Sequence, residues 1–300
     1  MLRKINDWLG KKKPTKPVFQ DVQTAPLDEN QLSAVSLNLV VHAPPQIVVG
    51  SAQSNGMQRD QNEDSIYFFN SLISDDKSQL PFGIFIIADG MGGHINGEIA
   101  SSSAVRAMAS FVTRRMLPSL IGLEAEPQSD SLQEIMEDGF RESQQAVLRK
   151  APGGGSTLTA ALLLGDQVTL AHVGDSRAYF LYPDGRIQVM TQDHSLVRRY
   201  VDLGRMTEEQ ARTDPQKNVL YRALGQLEPF RPDIISHMMP HPGYLMLCTD
   251  GLWGVIPDME IFKIIASAGT PSDACQKLIE AANAAGGPDN ISVIVVQYLN

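Results

Sequence analysis

A chain of 300 residues, 43% of them hydrophobic and 20% charged, has apolar material for one large core or two ordinary ones. Its net charge of −9 argues against nucleic acid as the main partner, because phosphate contacts are made mostly by Lys and Arg. No apolar run approaches the ~20 residues that span a bilayer, and two cysteines, Cys248 and Cys275, are too few for a disulfide framework and point to a reduced, cytoplasmic setting.

Residues 1–44 read as a disordered leader rich in Lys, Pro, Gln and Asp. Residues 1–17 hold six Lys/Arg and one Asp, a net of +5, which leaves −14 for the rest. The basic beginning has no apolar run after it, so it does not read as a secretory signal. Disorder is the reading taken over contact of Ile5, Trp8 and Leu9 with an anionic membrane surface. From Gln46 onward the pattern is regular. Runs rich in Val, Ile, Phe and Tyr, bounded by Gly, Pro or Asp, predict strands at 46–52, 65–70, 82–89, 156–165, 167–174, 177–182, 244–250 and 291–299. Those at 167–173 and 177–182, joined by "GDS", are expected to pair as a hairpin. Helices are predicted at 97–116, after Ser131, at 258–268 and at 272–285. Ser131 and Glu134 have capping-box spacing, with Leu132, Ile135, Met136 and Phe140 on one face behind them. Thr207 and Gln210 have the same spacing before a shorter helix. Strands in groups, separated by pairs of helices, indicate α+β layering with antiparallel sheets and no doubly wound parallel sheet.

Five aspartates stand where apolar runs meet Gly or Asn: Asp64 in "QNED", Asp89 in "ADG", Asp175 in "VGDSR", Asp250 in "TDG" and Asp289 in "GPDN". Singly, each is an ordinary turn former. If their strands end at one rim, the carboxylates repel one another unless cations neutralise them. An all-oxygen set selects Mg²⁺ or Mn²⁺ over Zn²⁺.

The runs "GMQRDQNED", "ADGMGGH", "GGGSTLTAALL", "HVGDSRAY", "TQDHS", "NVLYRALG", "CTDGLW" and "GGPDNISVIVV" follow one another in that order. Together, from about residue 46 to the C-terminus, they resemble the metal-dependent Ser/Thr protein phosphatases of the PPM, or type 2C, family in the bacterial style. The resemblance implies a central β-sandwich of two antiparallel sheets flanked by pairs of helices. It implies a binuclear Mg²⁺/Mn²⁺ centre in which Asp89 bridges both ions and the Gly90 carbonyl ligates one. Asp64 holds one ion largely through water with Glu63 assisting, and Asp250 and Asp289 hold the other. Arg59 takes the place of the phosphate-binding arginine, and Asp175 with Asp250 that of ligands to a third ion. The implied reaction is hydrolysis of phosphoserine and phosphothreonine by direct attack of a metal-bound hydroxide, without a phosphoenzyme. The implied partners are phosphorylated proteins, among them a Ser/Thr kinase and its targets, met by a monomer in signal transduction.

The sequence departs from that pattern twice. Some members carry a His, as the acid that protonates the leaving alcohol, directly after the bridging Asp-Gly, where this chain has Met91; His94, three residues on, reads as a bonded or exposed loop residue ahead of a proton donor. Gly254 stands where many relatives have an acidic residue that contributes to the outer ion. His172, alternating with Leu170 and Val168, reads as a packed structural residue, and His194 lies in "QDHSL". His237 and His241 have no metal-ligand spacing. Residues 197–225 match the family's flap, where substrate choice is expected; Arg198, Arg199 and Arg205 are candidate contacts there, set against the solvent-facing role that surface arginines usually have. A cysteine-dependent phosphatase is excluded, since Gly254 and Ala281 stand six positions after Cys248 and Cys275 where an Arg is needed. A non-catalytic phosphoprotein scaffold conflicts with the retention of Arg59 and all four core aspartates.

Overall fold

A computed structural model of the chain describes residues 46–74, 79–92, 95–123, 130–226 and 230–299; the expectations for residues 1–44 and for His94 lie outside them. Strands β1 (Gln46–Ser54), β2 (Asp64–Ser74) and β3 (Gln79–Met91) come first, followed by helices α1 (Ile95–Leu120) and α2 (Leu132–Lys150). Then come β4 (Gly155–Ser156), β5 (Leu158–Leu164), β6 (Gln167–Val173), β7 (Arg177–Leu181) and β8 (Ile187–Val189). The flap carries two short helices, α3 (Leu196–Asp202) and α4 (Glu208–Thr213), and leads to β9 (Asp233–Met238) and β10 (Tyr244–Cys248). Helices α5 (Asp250–Trp253), α6 (Asp258–Ser267) and α7 (Pro271–Ala284) precede the last strand, β11 (Ile291–Leu299). Ser131 caps α2 and Thr207 caps α4, each through a complete capping box as its spacing predicts.

The strands form two sheets, β1-β11-β10-β7-β8 and β2-β3-β5-β6-β9 with β4 beside β3, and every pairing is antiparallel. The strands read as unbroken apolar runs because both faces of each sheet are covered. In β3, Phe82, Ile84 and Ile86 face α1 and α2, while Phe85 and Ile87 face the other sheet. In β11, Val293 and Val295 face α6 and α7, while Ile294 and Val296 face inward. The result is three apolar layers in an α-β-β-α stack.

The hairpin expected from β6 and β7 does not form. β6 pairs with β5 and β9 in one sheet, and β7 with β10 and β8 in the other. The residues between them, Gly174–Asp175–Ser176, are therefore a crossing between sheets. Gly174 makes the corner with φ of 108°, in the region that disfavours a side chain. A Cβ there would also fall 2.5 Å from Thr157 Cβ. The short connector gave a reversal of direction, which turn chemistry does specify, but not the partner, which packing decides.

This crossing lies at the rim where β1, β3, β6 and β10 end and β2, β5, β7 and β11 begin. The registers define that rim: Asp64 faces Asp89 across β2 and β3, Ser54 faces Ile291, and Cys248 faces Arg177.

Candidate metal centre at the sandwich rim

The first residue of β2 and a residue near the end of β3 bring Asp64 and Asp89 side by side. The crossing delivers Asp175, the exit of β10 delivers Asp250 at the start of α5, and the approach to β11 delivers Asp289. Asp89, Asp175, Asp250 and Asp289 line one cleft of about 480 Å³ together with Arg59, Glu63, Gly90 and Met91. Asp64 is buried, with Thr249 Oγ1 donating to its Oδ2 at 2.9 Å.

Burial is the largest influence on Asp64, Asp89, Asp175 and Asp250, and neighbouring carboxylates add to it. Asp64 is pushed up to about 7 and Asp250 to about 6, although hydrogen bonds from Ser292 and Thr249 work the other way at Asp64. Asp89 and Asp175 are pushed well above the usual carboxylate range. Oδ1 of Asp64 and Oδ1 of Asp250 are buried without any hydrogen-bond partner. Among the described residues, no three His, Cys, Asp or Glu side chains are drawn together closely enough to hold a single metal ion. The acids thus share one cleft without closing on one point. Orphaned buried oxygens, mutual repulsion and an all-oxygen donor set fit hard divalent cations.

Several residues that carried no role in the sequence reading hold these acids in place. Thr157 accepts from the Asp89 N–H through Oγ1 at 2.8 Å, returns its own N–H to the Asp89 carbonyl, and bonds Ser176 Oγ at 2.8 Å. Asn290 donates to the carbonyls of Asn55 and Gln61 and accepts from the Glu63 N–H, pinning the segment that carries Arg59. Thr249 bridges Asp64 and the Ser292 N–H. The only sequence signal for these was their place inside quoted motifs.

Gly90 admits no side chain: a Cβ there would fall 2.1 Å from the Gly97 carbonyl oxygen. The Glu63 carboxylate lies against Gly97 in the first turn of α1. Arg59 is half-exposed and pairs with Asp289 at 2.8 Å, an interaction worth little on its own and readily exchanged. Next to the acidic cleft lies a larger cavity of about 970 Å³ between the flap and residues 253–259; the two share Arg59, Asp175, Asn218, Asp250 and Asp289. Of the flap arginines, Arg198 lines this cavity and is held by Asp202 and Glu208, whereas Arg199 and Arg205 line neither space.

His172 is buried between Thr159 and the Gln192 carbonyl, as a structural residue should be. Both cysteines are buried and their thiols are pushed up by burial, so neither supplies a nucleophile. Among the described residues, no helix is long and apolar enough to cross a membrane.

The family model for protein phosphatase 2C matches residues 48–291. The serine/threonine phosphatase stp of Listeria innocua is 36% identical over 245 residues, covering 81% of this chain and 92% of that one. Among solved structures, the serine/threonine phosphatase of S. agalactiae superposes with a TM-score of 0.69 at 32% identity, over 84% of this chain and 99% of that one. The catalytic domain of serine threonine protein phosphatase PstP, in complex with two manganese ions, gives 0.67 at 30% identity, over 85% and 100%.

Proposed function

That the chain belongs to the protein phosphatase 2C family, and is a metal-dependent serine/threonine phosphatase, is the premise from which we propose how its rim performs the reaction. Phosphoserine and phosphothreonine side chains of proteins enter the acidic cleft, and Arg59 turns from Asp289 to grip two phosphoryl oxygens with its guanidinium fork. Asp64, Asp89, Asp250, Asp289 and the Gly90 carbonyl hold two divalent cations, Mg²⁺ or Mn²⁺, with Glu63 supporting Asp64. Asp175 and Asp250 hold a third. Bound there, such cations acidify water toward neutral pH and offset charge on the phosphoryl group. The side chains themselves line the cleft with oxygen donors, and Thr157 keeps Asp89 fixed. No side chain becomes phosphorylated. The protein opposes a Ser/Thr kinase and acts as a cytoplasmic monomer.

The observation that supports this reading most is the gathering of four mutually repelling acids beside an arginine, with two buried oxygens left unbonded. Hydrolysis of p-nitrophenyl phosphate with and without Mn²⁺ tests it. Turnover is expected only with the cation, and Asp89→Asn is expected to abolish it with the fold intact. Wild-type rates in that variant, or full activity in excess chelator, contradict the assignment.

A further inference from the structure

His194, buried at 1% exposure at the root of the flap, is bonded on every polar atom. Its N–H donates to the Gly174 carbonyl at 2.7 Å, and its Nδ1 accepts from the Gly174 N–H at 3.0 Å. One residue thereby grips both backbone groups of the glycine that precedes Asp175. Acceptance at Nδ1 leaves the ring proton on Nε2, which donates to Asp233 Oδ2 at 3.0 Å. Asp233, on β9, is paired in turn with Arg222. The His194 ring stacks on His172 with their centroids 4.9 Å apart. Its carbonyl accepts from the Tyr221 N–H at 2.9 Å, closing the far end of the flap onto the near end. The Asp175 loop is fastened from other sides as well. Trp253 Nε1 donates to the Asp175 carbonyl at 3.0 Å, and Arg177 makes a two-pronged bond to Asp193, the residue before His194.

We propose that His194 is the positioning residue that sets Asp175 in the acidic cleft and ties that loop to the flap. Asp233 orients the imidazole, much as carboxylates orient metal-ligating histidines, but here the imidazole holds backbone instead of metal. The inference rests on the reading of Asp175 as a ligand of the outer ion, so its test separates the two. Manganese alone is titrated into the full chain by calorimetry. The expected result is that Asp175→Asn weakens the most loosely held ion and leaves the others unchanged. His194→Gln keeps a donor for Asp233 but loses the acceptor for Gly174; it should weaken that same ion about tenfold. His194→Asn keeps an acceptor near the Nδ1 position and should bind as the wild type does. Combining His194→Gln with Asp175→Asn should add nothing to Asp175→Asn alone.

If Asp175→Asn binds manganese as the wild type does, the outer-ion reading falls and this inference with it. If Asp175→Asn weakens binding but His194→Gln does not, or the two effects add, the role of His194 alone is overturned. Should His194→Gln fail to fold, His194→Leu takes its place: weakening of that ion in His194→Leu with wild-type binding in His194→Asn upholds the grip on Gly174, and wild-type binding in both overturns it.

Discussion

Asp64 offers one carboxylate oxygen to Thr249 and leaves the other, in a buried site, with nothing. Such an arrangement is costly to a folded protein and useful to one that awaits a cation. Its consequence for stability follows from linkage. Asp64 titrates near 3.8 when unfolded and about 7 when folded, so the folded state binds the extra proton between those values. Metal-free protein should therefore lose stability as pH rises through that window, at up to about 1.4 kcal/mol per pH unit for each such acid. Thermal unfolding in chelator across that range checks this, and Asp64→Asn should flatten the slope. Arg59 makes a different prediction. Its fork on the phosphate is a charge-assisted bond worth about 1.5–3 kcal/mol, so Arg59→Ala should raise KM roughly tenfold or more on a small phosphate ester. Unchanged KM, measured by steady-state kinetics, counts against its role. The sequence displayed Asp64, Asp89, Asp250 and Asp289 through their Gly and Asn neighbours. It did not display Thr157, Thr249 or Asn290, because a buried hydroxyl or amide has no pattern of its own until the fold supplies its partner.

At the level of elements, capping boxes and long apolar runs were legible, since both are local physics: α2 and α4 start where Ser131 and Thr207 place them. Strands β8 and β9 were missed. β8 is short, and both are partly exposed and lack the apolar run that marks their neighbours. The expected hairpin failed for a related reason: β6 and β7 are buried on both faces, so alternation cannot say which sheet either belongs to. That crossing is also what sends Asp175 to the rim. Thr157 links β3 to it through Asp89 and Ser176. Thr157→Val keeps the shape but strands a buried N–H, so it should cost about 1–3 kcal/mol by denaturant unfolding. It should also lower kcat more than KM, because the substrate-binding Arg59 stands on a separate segment held by Asn290.

Across the described residues as a whole, three apolar layers hold two sheets in register so that loops far apart in sequence meet at one edge. The layers were foreseeable from the grouping of strands and paired helices; the meeting at one rim needed the registers. Among the described residues, every one lining the acidic cleft falls between Gln58 and Asn290. Removing residues 1–44 should accordingly leave hydrolysis of a small phosphate ester near the wild-type rate, and a collapse of that rate would show that the leader takes part. The most direct test of the account as a whole is anomalous diffraction at the manganese edge from crystals grown with Mn²⁺. Two peaks flanking Asp89, one reaching toward Asp64 and the other toward Asp250 and Asp289, are the predicted result; a rim without manganese, or manganese bound only away from Asp89, would contradict it.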